Sequence, residues 1–232
     1  MGVPLPPAAI NTGPPVEPRP SATVLLIREG EPWELLMVHR PGGADFAPGA
    51  YVFPGGSVHS EDAAWPDPIR AAAVRELFEE TGMLLARRER RFARDADCAR
   101  MREALEGGAG FNEALLRANL VPAFDRLVLF ERWVTPAMLS RRFDARFYFA
   151  RVPSGQTVRP QEGEVTDWLW ISPQRALTDP DVTLVYATRA VLESVATGEP
   201  ATRLMARARK LKRVPVVEPR LVETESGWVV QR

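Results

Sequence analysis

Cysteine is nearly missing from this chain. Cys98 is the single one in 232 residues, which excludes an intramolecular disulfide and fits a reducing compartment. Nothing around Cys98 suggests a nucleophile, so it reads as a buried or incidental thiol. Lysine is also scarce, at positions 210 and 212 only, the remaining basic residues being arginines. Arg plus Lys balance Asp plus Glu at 30 each, a net charge of zero, so no general attraction to nucleic acid or to a membrane surface is implied. No apolar run approaches the roughly 20 residues of a membrane span. No charged segment followed by an apolar one opens the chain, and Val-Val-Gln-Arg at its end is not a Ser-Lys-Leu address. The expectation is a cytoplasmic protein. Histidine occurs only at 39 and 59.

Three glutamates stand close together in one stretch. Residues 75–83 read Arg-Glu-Leu-Phe-Glu-Glu-Thr-Gly-Met. On a helix, Glu76, Glu79 and Glu80 are related by i, i+3 and i, i+4 and share a face, while Ala71, Val74, Leu77 and Phe78 take the other arc. Like charges at that spacing cost a helix roughly 0.2–0.5 kcal/mol per pair, and Arg75 relieves part of it through Glu79. A cation on that face explains the pattern better than a solvated acidic stripe. Hard oxygen ligands suit a magnesium-like ion that keeps waters and takes further ligands from substrate phosphates. Asp67-Pro68 reads as the helix start, with Asp67 as N-cap and Pro68 at its first position.

Phe53-Pro54-Gly55-Gly56 stands upstream of this helix and Gly82 closes it. Gly-Gly followed by Arg-Glu-Leu-x-Glu-Glu-x-Gly-Met resembles the box of the Nudix hydrolases. Arg75, Glu76, Leu77, Glu79, Glu80, Gly82 and Met83 match its second half at every fixed position. The first half departs from the pattern, because Gly56 and Arg75 lie five residues further apart than the family spacing. Asp62 or Asp67 stands where the first acid of the box belongs. With Asp67 as N-cap, Asp62 takes that place. The longer loop, Arg40 and Gly49 in register before Phe-Pro-Gly-Gly, and Trp133-Val-Thr-Pro followed by Arg141-Arg-Phe-Asp are similar to the coenzyme A diphosphatase-like branch.

The resemblance implies an α/β fold, a Nudix-type α/β/α sandwich with a mixed β-sheet. It implies divalent Mg²⁺ or Mn²⁺ on Glu76, Glu79 and Glu80, with a Gly56 carbonyl completing the shell. Arg40, Gly55 and Gly56 fall at substrate-binding positions. Glu164, with Glu162 beside it, lies where a late loop supplies another catalytic carboxylate. The substrate it implies is a small molecule containing a nucleotide, coenzyme A or acyl-coenzyme A first, and ADP-ribose, NADH or another nucleotide as the alternative. A nucleotide-sensing module without catalysis is the reading from another class, and the intact box carboxylates disfavour it. Nucleic acid and membranes are not expected partners, and a homodimer is left open.

The chain is long enough for one large domain. Residues 1–20 are rich in Pro, Gly and Ala and read as a flexible arm, with a single domain from 21 to 232. Within it, strands are expected at 22–28, 33–39, 50–53, 127–134, 145–152 and 165–171, the first two joined as a hairpin. Residues 84–121 read as a helical insert: a packing element, a cap over the pocket or a dimer element. Its arginines 87, 88, 90, 91 and 94 read as a solvated face, with contact to a substrate phosphate as the other reading. A short helix begins at Ser172-Pro173, and 182–232 holds two helices and an extended tail. His39 reads as structural and His59 as a residue of the inserted loop, with a place near the site as its minority reading.

Overall fold

The computed structural model describes residues 9–43, 47–160, 163, 165–225 and 227–231. Its centre is a mixed sheet. Strand β1 (Arg19–Arg28) turns back antiparallel into β2 (Glu34–His39), pairing Ile27 with Leu35. The short strands β3 (Tyr51–Val52) and β4 (Gly55–Ser57) hang from β2 and β1. Helix α1 (Pro68–Thr81) follows, after a 3-10 turn at Ser60–Ala64. Further along, β8 (Val128–Val134), β9 (Phe143–Arg151) and β10 (Asp167–Ile171) complete the sheet with β11 (Val216–Val217), in the order β10-β2-β1-β9-β8-β11. β1 runs parallel to β9 and antiparallel to β2.

β1 is buried on both faces, as its nearly continuous apolar run requires of a central strand. Ala22, Val24 and Leu26 face one core, which also takes Ala72, Leu77 and Phe78 from α1. Leu25 and Ile27 face the other. That second core is closed by α4 (Pro173–Thr178), α5 (Tyr186–Val195) and α6 (Ala201–Arg209), through Ala176, Val191, Leu192, Leu204 and Met205. The result is an α/β/α sandwich. The tail ends in a hairpin of β12 (Arg220–Thr224) and β13 (Gly227–Gln231).

Two stretches differ from the sequence expectation. Residues 84–121 do not begin as helix. Strands β5 (Ala86–Arg88), β6 (Arg91–Phe92) and β7 (Val121–Pro122) form a small sheet, and only α2 (Asp95–Glu106) and α3 (Phe111–Arg117) between β6 and β7 are helical. The reason is local: the arginine run offers no apolar stripe, and Glu89 turns it back with φ 53°. The arginines also have partners. Arg87 pairs with Asp125, Arg91 lies 3.5 Å from buried Asp97, and Arg88 Nη2 donates to the Ala118 carbonyl at 2.6 Å. The helices of this segment insert Met101, Phe111 and Leu115 into the α1-side core, worth up to about 1.5–3 kcal/mol each. The second difference is at the N-terminal side. Residues 9–20 are tied down, with Asn11 N–H donating to the Met138 carbonyl at 2.8 Å and Arg19 and Pro20 already inside β1.

Candidate active site

Helix α1 positions the acidic residues. Asp67 caps its start by accepting from the Arg70 N–H at 3.0 Å, and Pro68 follows. Gly82 ends it in the left-handed conformation, φ 71°, with its N–H donating to the Phe78 carbonyl. A side chain at Gly82 would run into the Arg159 carbonyl, so the position needs glycine twice over.

Arg75 organises the site. It is 1 % exposed, Asp62 2 % and Glu80 3 %. Its Nε and Nη2 donate to the two Asp62 oxygens at 3.1 and 3.0 Å, a bidentate pair. Nη2 also donates to the Ser57 carbonyl at 2.9 Å, and Nη1 to Glu76 at 2.9 Å and Glu79 at 2.8 Å. Burial pulls this guanidinium down. Its hydrogen bonds to Asp62 and the charges of Glu76 and Glu79 outweigh burial and hold it well above its ordinary value. One fixed cation therefore ties the lengthened loop to the helix and draws two carboxylates to one point.

Glu80 is held from the other side. Its Oε2 accepts from the Gly55 N–H at 2.9 Å and its Oε1 from Arg40 Nη1 at 3.2 Å. Arg40 Nε is buried without a hydrogen-bond partner among the described residues. Gly56 packs against the Glu76 carboxylate so closely that a Cβ would displace it, whereas a Cβ on Gly55 would strike the backbone of Ala22 and Thr23. The two adjacent glycines thus serve different neighbours.

The structure brings together Arg40, Gly55, Gly56, Glu76, Glu79 and Glu80, and it adds Asp62 through Arg75. Glu162 and Glu164 lie outside the described residues. His39 Nδ1 lies 2.7 Å from Thr166 Oγ1 and its ring leans on Tyr51, an architectural use. The His59 backbone N–H donates to Asp62 Oδ2 at 2.7 Å. Its loop is braced by the inserted helices: Trp65 Nε1 donates to Asn112 Oδ1, whose amide donates to the Glu61 carbonyl, both at 2.6 Å. Gln156 was not singled out in the sequence. Its side-chain amide pairs with both backbone groups of Leu84 and the Ala93 carbonyl, at 2.7–2.9 Å. No pattern of residue types signals such a contact.

The donors are hard carboxylate oxygens beside a glycine backbone, which fits Mg²⁺ or Mn²⁺ and not a thiolate-seeking metal. Among the described residues no three acidic, His or Cys side chains close into a cage. Glu76 and Glu79 turn to Arg75, and Glu80 to Gly55 and Arg40. Such a set suits an ion that takes one or two carboxylates and fills its shell with water and substrate oxygens. Among the described residues, no helix is long and apolar enough to cross a membrane.

Comparison with known proteins agrees with this geometry. A solved Nudix hydrolase from Alicyclobacillus acidocaldarius superposes with a TM-score of 0.69 at 27% identity, over 82% of this chain and 96% of that one. Nudix hydrolase 7 of Caenorhabditis elegans is 32% identical over 146 residues, 62% of this chain and 48% of that protein. The acyl-coenzyme A diphosphatase NUDT19 of Xenopus laevis is 24% identical, over 63% of this chain and 54% of its own length. The chain thus spans about half the length of these two relatives. The family model described as the NUDT19 Nudix domain matches residues 65–185, just over half of the 232. With the box helix, its buried arginine and the sandwich around them, this match settles the family: the chain belongs to the Nudix hydrolases.

Proposed function

We propose that the protein hydrolyses a nucleoside diphosphate linkage with the help of a divalent metal, and that its substrate is coenzyme A or an acyl-coenzyme A. The observation that carries the reaction is the convergence of Glu76 and Glu79 on Nη1 of the buried Arg75, with Glu80 fixed on the neighbouring Gly55 N–H. Glu76, Glu79 and Glu80 are the residues that would hold Mg²⁺ or Mn²⁺, with the Gly56 carbonyl beside them. When bound, the ion neutralises phosphate charge and lowers the pKa of a water. The protein does the rest by placement. Arg75 holds two carboxylates without itself facing solvent, so the acidic face costs no reorganisation when substrate arrives. The bare Gly55-Gly56 backbone leaves room for the diphosphate to approach. In the reaction, a water oxygen bonds to one phosphorus and gives up a proton to the surrounding water. The bond from that phosphorus to the bridging oxygen breaks, and the bridging oxygen leaves with the other phosphate.

The coenzyme A assignment draws on the sequence register around Arg40 and on the name of the Xenopus relative. A screen of coenzyme A, ADP-ribose, NADH and free nucleotides with Mg²⁺ or Mn²⁺ tests it. Turnover of coenzyme A to 3′-phosphorylated adenosine phosphate and phosphopantetheine is expected. Clear turnover of ADP-ribose without coenzyme A would move the substrate and keep the reaction. No turnover of any of them would leave a sensing module.

A further inference from the structure

We infer that Arg40 is an exchangeable arm: it pairs with Glu80, and it passes to a phosphate oxygen of the substrate when a divalent ion takes that carboxylate. This rests on the diphosphatase reading above. Two arginines touch the box carboxylates, and they do so in different ways. Arg75 is 1 % exposed and commits its guanidinium to Asp62, Glu76, Glu79 and the Ser57 carbonyl. Its hold on Asp62 is bidentate, the form of a fixed clamp. The Arg40 side chain keeps 26 % of its surface exposed and reaches Glu80 through Nη1 alone, at 3.2 Å. Its Nε is buried without a hydrogen-bond partner among the described residues. A guanidinium carries five donors, and a buried donor left unused is costly. Arg40 therefore has bonding capacity that Glu80 does not use.

Glu80 does not depend on Arg40 for its place, because its other oxygen accepts from the Gly55 N–H at the shorter distance of 2.9 Å. Arg40 in turn is anchored by its backbone. Its N–H donates to the Ala50 carbonyl at 3.0 Å and its carbonyl accepts from the Gly49 N–H at 3.2 Å, so the side chain can swing from a fixed Cα. The charges set the order of the exchange. Among the described residues, Arg40 and Arg75 form ion pairs with four carboxylates: Asp62, Glu76, Glu79 and Glu80. Two cations against four anions leave the site acidic, so it attracts a divalent ion and repels a diphosphate. Once the excess is neutralised, Arg40 gives up its single bond to Glu80. Glu80 links it to the Gly55 N–H, so the freed arm lies beside the backbone where the diphosphate approaches. Its fork matches phosphate oxygens in shape and charge.

The test measures Mn²⁺ affinity of the full chain by calorimetry in wild type, Arg40→Met and Arg40→Lys. Each is titrated without nucleotide and with saturating α,β-methylene-ADP, whose bridging carbon resists hydrolysis. Without nucleotide, Arg40→Met should bind Mn²⁺ about fivefold more tightly than wild type, since the competitor for Glu80 is gone. The analogue should tighten Mn²⁺ binding in wild type. That gain should shrink about tenfold in Arg40→Met, because coupling is reciprocal and the arm that joins the two ligands is missing. Arg40→Lys keeps a cation, so it should stay near wild type without nucleotide and recover part of the gain. Weaker Mn²⁺ binding by Arg40→Met, with its melting transition preserved, would make Arg40 a fixed brace and overturn the proposal. Tighter binding with an undiminished gain would reduce Arg40 to charge repulsion and overturn it as well. Hydrolysis enters none of these readings. The expected pattern in a protein that turns over no diphosphate would refute the reaction and keep the exchange, and turnover with either contrary pattern would do the reverse.

Discussion

Replacing Asp62 with alanine tests whether the lengthened loop is anchored by a buried charge pair. The carboxylate accepts three hydrogen bonds, from Arg75 Nε at 3.1 Å, Arg75 Nη2 at 3.0 Å and the His59 N–H at 2.7 Å. Arg75 and Asp62 are 1 % and 2 % exposed, so water cannot take the place of the lost partner. Removing one member of a buried pair costs about 3–5 kcal/mol, much of it the penalty on the charge left behind. In a domain of this size each kcal/mol moves the melting midpoint by about 2–4 °C, so a fall of roughly 6–20 °C is expected. Urea titration with Tm measured in parallel reads it. Asp67→Ala is the contrast, because an N-cap loss costs about 0.5–2 kcal/mol. In an Arg75→Met background, Asp62→Ala should do far less than in wild type. A loss below about 1 kcal/mol, the level of an exposed pair, would refute the anchoring role of Asp62.

Two other predictions concern the paired glycines of the site and the buried thiol. Gly55→Ala should destabilise the fold, because the new Cβ meets the backbone of Ala22 and Thr23, while Gly56→Ala should leave Tm nearly unchanged and depress activity by moving the Glu76 carboxylate; paired melting and rate measurements separate them. Burial, reinforced by the Asp95 charge, pushes the Cys98 thiol up to about 11. At pH 8–9 it should therefore react with a thiol reagent far more slowly than in urea. Since the folded thiol keeps its proton where the unfolded one loses it, stability should fall as pH rises from about 9 towards 11.

The box helix was legible from its letters because its signals are local. Asp67-Pro68 and Gly82 set its ends, and three glutamates set its face. The central strands were legible for the same reason, as apolar runs bounded by turn residues. The stretch after Leu84 was not, because a short sheet of arginine-rich strands has neither an apolar stripe nor alternation, and β5 pairs with the distant Val121–Pro122 as well as with its neighbour β6. Within the site, Arg75 on Glu79 follows from helical spacing. Arg40 on Glu80 and Gln156 on Leu84 cross 40 and 72 residues and leave no periodic trace. Arg40, expected from its register to meet substrate, stands on a box carboxylate.

The central claim is that Glu76 and Glu79, gathered by Arg75, and Glu80 beside them carry out metal-assisted diphosphate hydrolysis. Its most direct test is the turnover of coenzyme A by Glu79→Gln and Glu80→Gln beside wild type, in Mg²⁺ and after chelation. The account predicts a loss of activity by orders of magnitude in both variants with the melting transition preserved, and no wild-type turnover after chelation. Undiminished hydrolysis in either variant would contradict it.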